Sequence, residues 1–80
     1  MKKDEIDLPQ LEKGTYLHHK SGKFYEVLGV ALQTETNEAL VLYRPLYNHP
    51  KYELFARPYN KFIEQVAVDD RLVPRFEKVD

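Results

Sequence analysis

The chain has 80 residues, a formal net charge of −1 and no cysteine. This length predicts one small domain, too small to enclose a large active site. The lack of cysteine excludes a disulfide framework, a thiolate nucleophile and a zinc ribbon, and it favours a cytoplasmic location. The near-neutral charge argues against strong, sequence-indifferent binding of polyanions, and no apolar run is long enough to span a membrane.

The first twelve residues differ in character from the rest. They are highly charged at the start and then carry Leu8 and Leu11 around Pro9. We therefore predict a flexible N-terminal arm over residues 1–12, with the two leucines docked on the body of the protein. Residues 13–80 are expected to form a single small β-barrel domain.

β-strand character begins at Gly14. The alternation from Thr15 to His19 predicts a first strand, and Ser21-Gly22 predicts a tight turn because glycine accepts a positive φ. Lys23 to Leu32 is rich in aromatic and β-branched residues, which predicts the longest strand. Gly29 inside this strand indicates a bulge or a sharp bend, as is typical of a sheet that curls.

Two further strands are predicted over Ala39 to Arg44 and Glu53 to Arg57, with a break at Asn48-His49-Pro50 between them. In the third strand, Val41 and Tyr43 are predicted on one face, opposite Arg44 on the other.

The last part of the chain is predicted to start with a helical turn. Pro58 suits a first helical position, and Phe62, Ile63 and Val66 are spaced to share one buried face. Beyond it, segments 66–68 and 72–76 are expected to pair about Asp69-Asp70.

The predicted fold class is mainly β: a small SH3-like curled barrel of about five strands with one short helical turn near residues 58–66. An open, strongly twisted sheet carrying one helix is the alternative.

Three segments place an arginine beside an aromatic ring and a proline. They are Tyr43-Arg44-Pro45-Leu46-Tyr47, Phe55-Ala56-Arg57-Pro58-Tyr59 and Pro74-Arg75-Phe76. Arginine binds carboxylates and phosphates and stacks on aromatic faces, so these segments predict a face that binds single-stranded nucleic acid, a nucleotide-like anion or a protein segment. In the alternative interpretation the rings form the core, and the arginines pair with Glu26, Glu53 or backbone carbonyls.

A second candidate group lies near the first turn. His18 and Lys20 are predicted on the same strand face as Tyr16, where they could bind an anion or transfer a proton. The alternative is that His18 packs on Tyr16 while Lys20 is solvated. His18 and His19 point to opposite faces of a strand, so we predict no metal site. No catalytic motif is visible, and we predict neither an enzyme nor a cofactor.

The candidate ligand-binding residues are His18, Lys20, Tyr43, Arg44, Tyr47, Phe55, Arg57 and Arg75. The predicted function is a non-enzymatic binding module without membrane contact, acting as a monomer or weak homodimer. The alternative is a protein–protein interaction or homo-assembly domain.

The chain resembles a small bacterial family called domain of unknown function sixteen-fifty-three. The resemblance rests on the segments 14–20, 25–31, 34–36, 41–44, 46–47, 56–58 and 74–76, together with Phe62. Phe55 departs from the family, which typically has a tryptophan at that place. The resemblance implies a small cytoplasmic β-domain, and it supplies neither an enzyme activity nor a ligand.

Overall fold

The computed structural model describes residues 7–80, which form seven strands and one short helix. The strands are β1 Gly14–His18, β2 Lys23–Gln33, β3 Glu38–Pro45, β4 Phe55–Pro58, β5 Gln65–Val68, β6 Arg71–Pro74 and β7 Phe76–Lys78. The helix, α1 Tyr59–Phe62, lies between β4 and β5 in the chain. The predicted mainly-β class with one short helix is confirmed.

Five strands form one sheet in the order β4-β3-β2-β1-β7, and β5 pairs with β6 in a separate hairpin. The sheet curls so strongly that the guanidinium of Arg57, on edge strand β4, lies 5.4 Å from the ring centre of Phe76, on the opposite edge strand β7. Within residues 7–80, however, the backbones of these two edges do not pair, so the sheet is not closed into a barrel. Closure requires the edge strands to hydrogen-bond, and here side chains fill the gap instead.

Local backbone features follow from the sequence as predicted. Gly22 adopts φ 73° in the turn after β1, and its N–H donates to the carbonyl of His18 at 2.7 Å. The pairing of β2 with β3 shifts register between Val27 and Gly29, which is the predicted bulge. A bulge increases local twist and bends the strand, so it contributes to the curl.

The predicted helical turn is shorter than expected. Only α1 is helical, and Ile63 is 46% exposed instead of sharing a buried face with Phe62. Val66 is buried, but it belongs to β5, where it pairs with Val73 of β6. The turn of this hairpin is formed by two aspartates, Asp69 and Asp70, at φ 52° and 64°. Two consecutive positive φ values suit a tight hairpin turn, so strand pairing replaces the predicted continuation of the helix.

The core is aromatic and lies inside the curl. Its buried cluster consists of Tyr16, Val27, Val41, Tyr43, Phe62 and Phe76. Leu11, from the segment before β1, packs against this cluster as predicted. Residues 1–6 of the predicted flexible arm lie outside the described residues.

Candidate functional site

The aromatic side chains collect on the inner face of the curled sheet because of strand alternation. Register places Phe76 opposite His18 and Phe55 opposite Tyr43. Directly paired residues share a face, and so do residues two apart on one strand. Arg57, two residues after Phe55, therefore also lies on the inner face.

One end of the inner face forms an open pocket of about 250 Å³, which we call the aromatic pocket. It is lined by His18, Tyr25, Tyr43, Tyr47, His49, Phe55, Arg57 and Phe76. The other end of the face is covered by Phe62 of α1, whose ring stacks on Phe76 with 4.0 Å between centroids. Phe76 is thus a wall of the pocket on one side and part of the core on the other.

Tyr25 is central to the aromatic wall. Its ring centroid lies 5.4 Å from that of Tyr43, 5.5 Å from Tyr47 and 5.8 Å from Phe76, each in an edge-to-face arrangement. Its hydroxyl is hydrogen-bonded to that of Tyr47 at 2.7 Å. Burial and this hydrogen bond raise the pKa of Tyr25, so the phenol stays protonated at neutral pH. The wall is therefore held in place by its own contacts.

Among residues 7–80, Arg57 is the one cation that lines the aromatic pocket. It is half-buried, and its Nε donates to the Tyr43 hydroxyl at 3.1 Å. Within residues 7–80 it has no carboxylate partner, and its terminal nitrogens make no hydrogen bond to protein. Lys23 adds a second positive charge nearby, with Nζ 4.6 Å from the centre of the Tyr47 ring. An unpaired guanidinium among rings is suited to bind a planar anion.

His18 forms another part of the pocket wall. Its ring packs on Phe76 with 4.7 Å between centroids, and its Nδ1 is 2.7 Å from Ser21 Oγ. Burial, assisted by the positive charge of Arg57, lowers the pKa of His18. The ring is therefore neutral at pH 7 and offers one N–H and one acceptor nitrogen.

His49 is fixed by the loop between β3 and β4. Its Nδ1 accepts the backbone N–H groups of Lys51 and Tyr52 at 3.1 and 3.0 Å. Its ring lies edge-to-face against Phe55, with 5.1 Å between centroids. These contacts fix the orientation of the imidazole in the pocket wall.

Five of the eight candidates identified from the sequence meet in the aromatic pocket: His18, Tyr43, Tyr47, Phe55 and Arg57. The other three lie elsewhere. Arg44 is exposed and pairs with Glu26 at 2.7 Å, while Arg75 pairs with Glu64 at 2.9 Å. Lys20 is exposed in the turn after β1.

Three lining residues, Tyr25, His49 and Phe76, were not among the eight candidates, although Phe76 belongs to one of the three segments that place an arginine beside an aromatic ring. Tyr25 had a detectable signal, because it is two residues from Val27 on the longest predicted strand and so shares its inner face. His49 had none, since its role depends on how the loop after β3 folds back over the sheet. The rings of Phe55 and His49 are in contact only because that loop folds back over the sheet.

A larger cavity of about 430 Å³ lies between residues 8–13 and the bulge at Gly29. Its walls include Leu8, Leu28 and Leu42, and of the described residues that line it only the exposed Lys13 is charged. The aromatic pocket is smaller, but it is the one where a cation, two imidazoles and hydroxyl groups converge, as is usual in a ligand site. We therefore take the aromatic pocket as the candidate functional site.

Within residues 7–80, no three His, Asp or Glu side chains are grouped closely enough to hold a metal ion. None of the helical structure in this part of the chain has the length and apolar character needed to cross a membrane.

Both the sequence and the fold of the chain are similar to those of known proteins. A family model described as a protein of unknown function, DUF1653, matches residues 14–78. The crystal structure of a DUF1653 protein from Bordetella bronchiseptica is similar, with a TM-score of 0.81 and 33% sequence identity, and the match covers 86% of this chain and 87% of that one. None of the curated proteins compared matches the chain. Because the family model spans well over half of the sequence, the chain belongs to the DUF1653 family.

Proposed function

We propose that the domain is a non-enzymatic binding module whose aromatic pocket takes one planar, anionic, nucleotide-like group. The observation that carries this proposal is the unpaired, half-buried guanidinium of Arg57 among the pocket rings. A flat ring would stack on the aromatic side chains, and an attached phosphate would bind the terminal nitrogens of Arg57. The proposed location is the cytoplasm, as the cysteine-free composition indicates.

The charge of the pocket favours an anion over a cation. Aromatic cages often bind quaternary ammonium groups through the negative faces of their rings. Here Arg57 already occupies that environment, and Lys23 lies on the Tyr47 ring. In the described chain, none of the eight lining residues is a carboxylate. A cationic ligand would thus meet two positive charges without a compensating negative one.

The size of the pocket favours a single ring. Pockets for drug-sized ligands measure about 300–1,000 Å³, and the aromatic pocket holds about 250 Å³. One base with its phosphate at the rim fits this volume. The ring belongs either to a free nucleotide or to an unpaired base in a single strand, since both present the same chemistry to the pocket.

The non-enzymatic character is supported by the geometry around Ser21. Its Oγ is hydrogen-bonded to His18 Nδ1, which resembles a nucleophile with an adjacent base. In a catalytic triad, the second nitrogen of the base is oriented by a carboxylate. Among residues 7–80, no carboxylate is hydrogen-bonded to His18. The contact instead ties the end of β1 to its turn.

The proposal is tested by a two-dimensional amide NMR titration of the labelled chain with uridine monophosphate and, separately, with a short mixed-sequence single strand. We expect shifts localised to residues 43–49 and 55–57. A strand that binds more tightly than the nucleotide, with strong salt dependence, would identify nucleic acid as the source. Similar affinities would identify a free nucleotide. The absence of localised shifts with both ligands would contradict the proposal.

Arg57→Ala sharpens this test. A hydrogen bond to a charged group contributes about 1.5–3 kcal/mol, so affinity should fall by about tenfold or more. The thermal midpoint should change little, because Arg57 makes one hydrogen bond and one contact with a ring face. Arg44→Ala is the matched control, since Arg44 is exposed on the other face and pairs with Glu26. Equal losses of affinity in both variants would show that the effect comes from the net charge of the chain. They would contradict binding in the aromatic pocket.

Protein–protein interaction or homo-assembly is a second candidate, supported by an apolar patch on the outer face of the sheet. Phe24 and Leu46 are each 45% exposed, and they are neighbours because the Leu46 N–H donates to the Phe24 carbonyl at 2.9 Å. Leu17 lies opposite Phe24 in the β1–β2 pairing. Light scattering over a range of concentrations tests this function. A rising mass that Phe24→Ser abolishes would support it, and a constant monomer mass would contradict self-assembly.

A further inference from the structure

A second pocket adjoins the aromatic pocket. Its volume is also about 250 Å³, and most of its wall comes from the loop between β3 and β4, so we call it the loop pocket. Its lining residues include Tyr47, His49 and Tyr52. Because Tyr47 and His49 line both pockets, the aromatic pocket and the loop pocket share a wall. A ligand that fills the aromatic pocket can therefore extend across these two side chains into the loop pocket.

The loop carries a row of rings from the aromatic pocket to the surface. The centroid of the His49 ring lies 5.1 Å from that of the half-buried Phe55 and 5.7 Å from that of Tyr52. Tyr52 is 57% exposed, so its ring is accessible to a ligand. Proteins that bind single strands stack successive bases on neighbouring aromatic side chains. The row thus offers a place for a second base beside the aromatic pocket.

The angle between the rings suits two bases that do not stack on each other. The planes of Phe55 and Tyr52 are inclined at 71°, with 6.2 Å between their centroids. Flat groups lying on these two rings would be splayed apart, as unpaired bases are when a protein binds a single strand. A duplex exposes only the edges of its bases in the grooves, so it cannot lay two base faces on these rings.

The distribution of charge favours a phosphate at the shared wall. Arg57 lines the aromatic pocket, and Lys23 Nζ lies 4.6 Å from the centre of the Tyr47 ring. Within residues 7–80, neither cation has a carboxylate partner. In the loop pocket, by contrast, Arg44 is already ion-paired, and the carboxylate of Glu53 is part of the wall. That carboxylate repels a phosphate but can accept hydrogen bonds from the hydroxyl groups of a second nucleoside.

On these grounds, and resting on the proposed function, we infer that the ligand is a single strand of nucleic acid and not a free nucleotide. One base fills the aromatic pocket, and the neighbouring nucleoside occupies the loop pocket with its base on Tyr52. The phosphate that joins the two nucleosides lies near Arg57 and Lys23. Tyr52 is then a binding residue for a strand, although it has no part in binding a single nucleotide.

The test compares uridylyl-uridine with the methyl ester of uridine monophosphate. Both carry one phosphodiester charge, but the ester lacks the second nucleoside. Each is titrated into the complete labelled chain and followed by two-dimensional amide NMR. We expect the dinucleotide to bind about 5- to 150-fold more tightly, which is the contribution of one further stacked base. Shifts at residues 51–53 should be larger with the dinucleotide than with the ester.

Tyr52→Ala should remove most of this difference, because it weakens binding of the dinucleotide and leaves binding of the ester unchanged. Leu54→Ala is the matched control, since Leu54 belongs to the same loop and is 56% exposed but lines neither pocket. The deoxyuridine dinucleotide, titrated in parallel, distinguishes the two kinds of strand. Tighter binding of the ribose form would identify RNA, and equal binding would show that either strand is accepted.

The failure of this inference differs from the failure of the proposed function. Equal affinities of uridylyl-uridine and the ester in the unmodified chain would overturn the single strand and leave the proposed function standing. A gain in affinity that Tyr52→Ala does not reduce would overturn the place of the second base. No localised shift with either ligand would overturn the proposed function and the inference with it.

Discussion

The two ends of the inner face are made from the same strands and the same kind of residue, yet they are used differently. At the covered end, Phe62 is 1% exposed, stacks on Phe76 and lies edge-to-face on Tyr16. At the open end, Tyr47 and Phe55 are half-buried around an unpaired arginine. The two ends differ because the ring of Phe62, from the four-residue helix α1, lies over one of them and not over the other.

This comparison accounts for the positions of several of the chain's six tyrosines and four phenylalanines. Phenylalanine can be buried without a polar partner, and Phe62 and Phe76 are buried in this way at the covered end. Tyrosine needs a partner for its hydroxyl when it is buried, and at the open end Tyr25 and Tyr43 find partners in Tyr47 and Arg57. The covered end should therefore govern stability, and the open end should govern binding.

The largest expected effect is on the covered end. Phe62→Ala should lower the free energy of unfolding by about 3–5 kcal/mol, because it removes a fully buried ring and leaves a cavity. Domains of this length have a total stability of about 4–12 kcal/mol, so much of the fold's stability would be lost. Urea denaturation followed by circular dichroism measures it. Ile63→Ala, next in sequence but 46% exposed, is the control, and a similar small loss in both variants would refute the distinction between the ends.

Phe55→Ala tests the open end. Stacking of a base on an aromatic ring contributes about 1–3 kcal/mol, so nucleotide affinity should fall by about 5- to 150-fold. The loss of stability should be clearly smaller than that of Phe62→Ala, because Phe55 is half-buried. Tyr52→Ala is the matched control, since Tyr52 is exposed and does not line the aromatic pocket. If Phe55→Ala destabilised the chain like Phe62→Ala and left affinity unchanged, Phe55 would belong functionally to the core.

Much of the fold could be predicted from the sequence because it depends on local rules. Gly22 in the first turn, the bulge at Gly29 and the hairpin at Asp69-Asp70 all have backbone conformations that their sequence favours. Helix length was predicted less well, because the apolar spacing of Val66 fits a helix as well as a strand. Only its pairing with Val73 decides between them.

The candidate site was predictable in part for the same reason. Alternation already separated Tyr43 from Arg44 on the third strand, so the exposed position of Arg44 follows from the sequence pattern. Which arginine remains unpaired depends on contacts distant in the chain. Arg75 finds Glu64 eleven residues away, whereas Arg57 meets Phe76 of the opposite sheet edge. Such partners become visible only once the sheet is curled.

The smallest expected effect is a change in the pKa of His18 at the open end. Burial is the main reason that this pKa is lowered, and the charge of Arg57 is the next. Arg57→Gln should therefore raise the pKa of His18 without restoring its ordinary value, because burial remains. Arg44→Gln should leave it unchanged. The ring-proton NMR shift of His18, followed between pH 4 and 8, measures both.

The same shift fixes the sign of a pH effect on stability. Because the pKa of folded His18 lies below its ordinary value of 6.5, the unfolded chain binds more protons as the pH falls. The contribution of His18 to stability is therefore complete above about pH 6.5, and it is lost as the pH falls through the folded pKa. Arg57→Gln should reduce this loss, and a bound anion should reduce it too, since each makes the charged imidazole less unfavourable. If neither changed the titration of His18, the charge of Arg57 would not act on this imidazole, and the anion would have to bind outside the aromatic pocket.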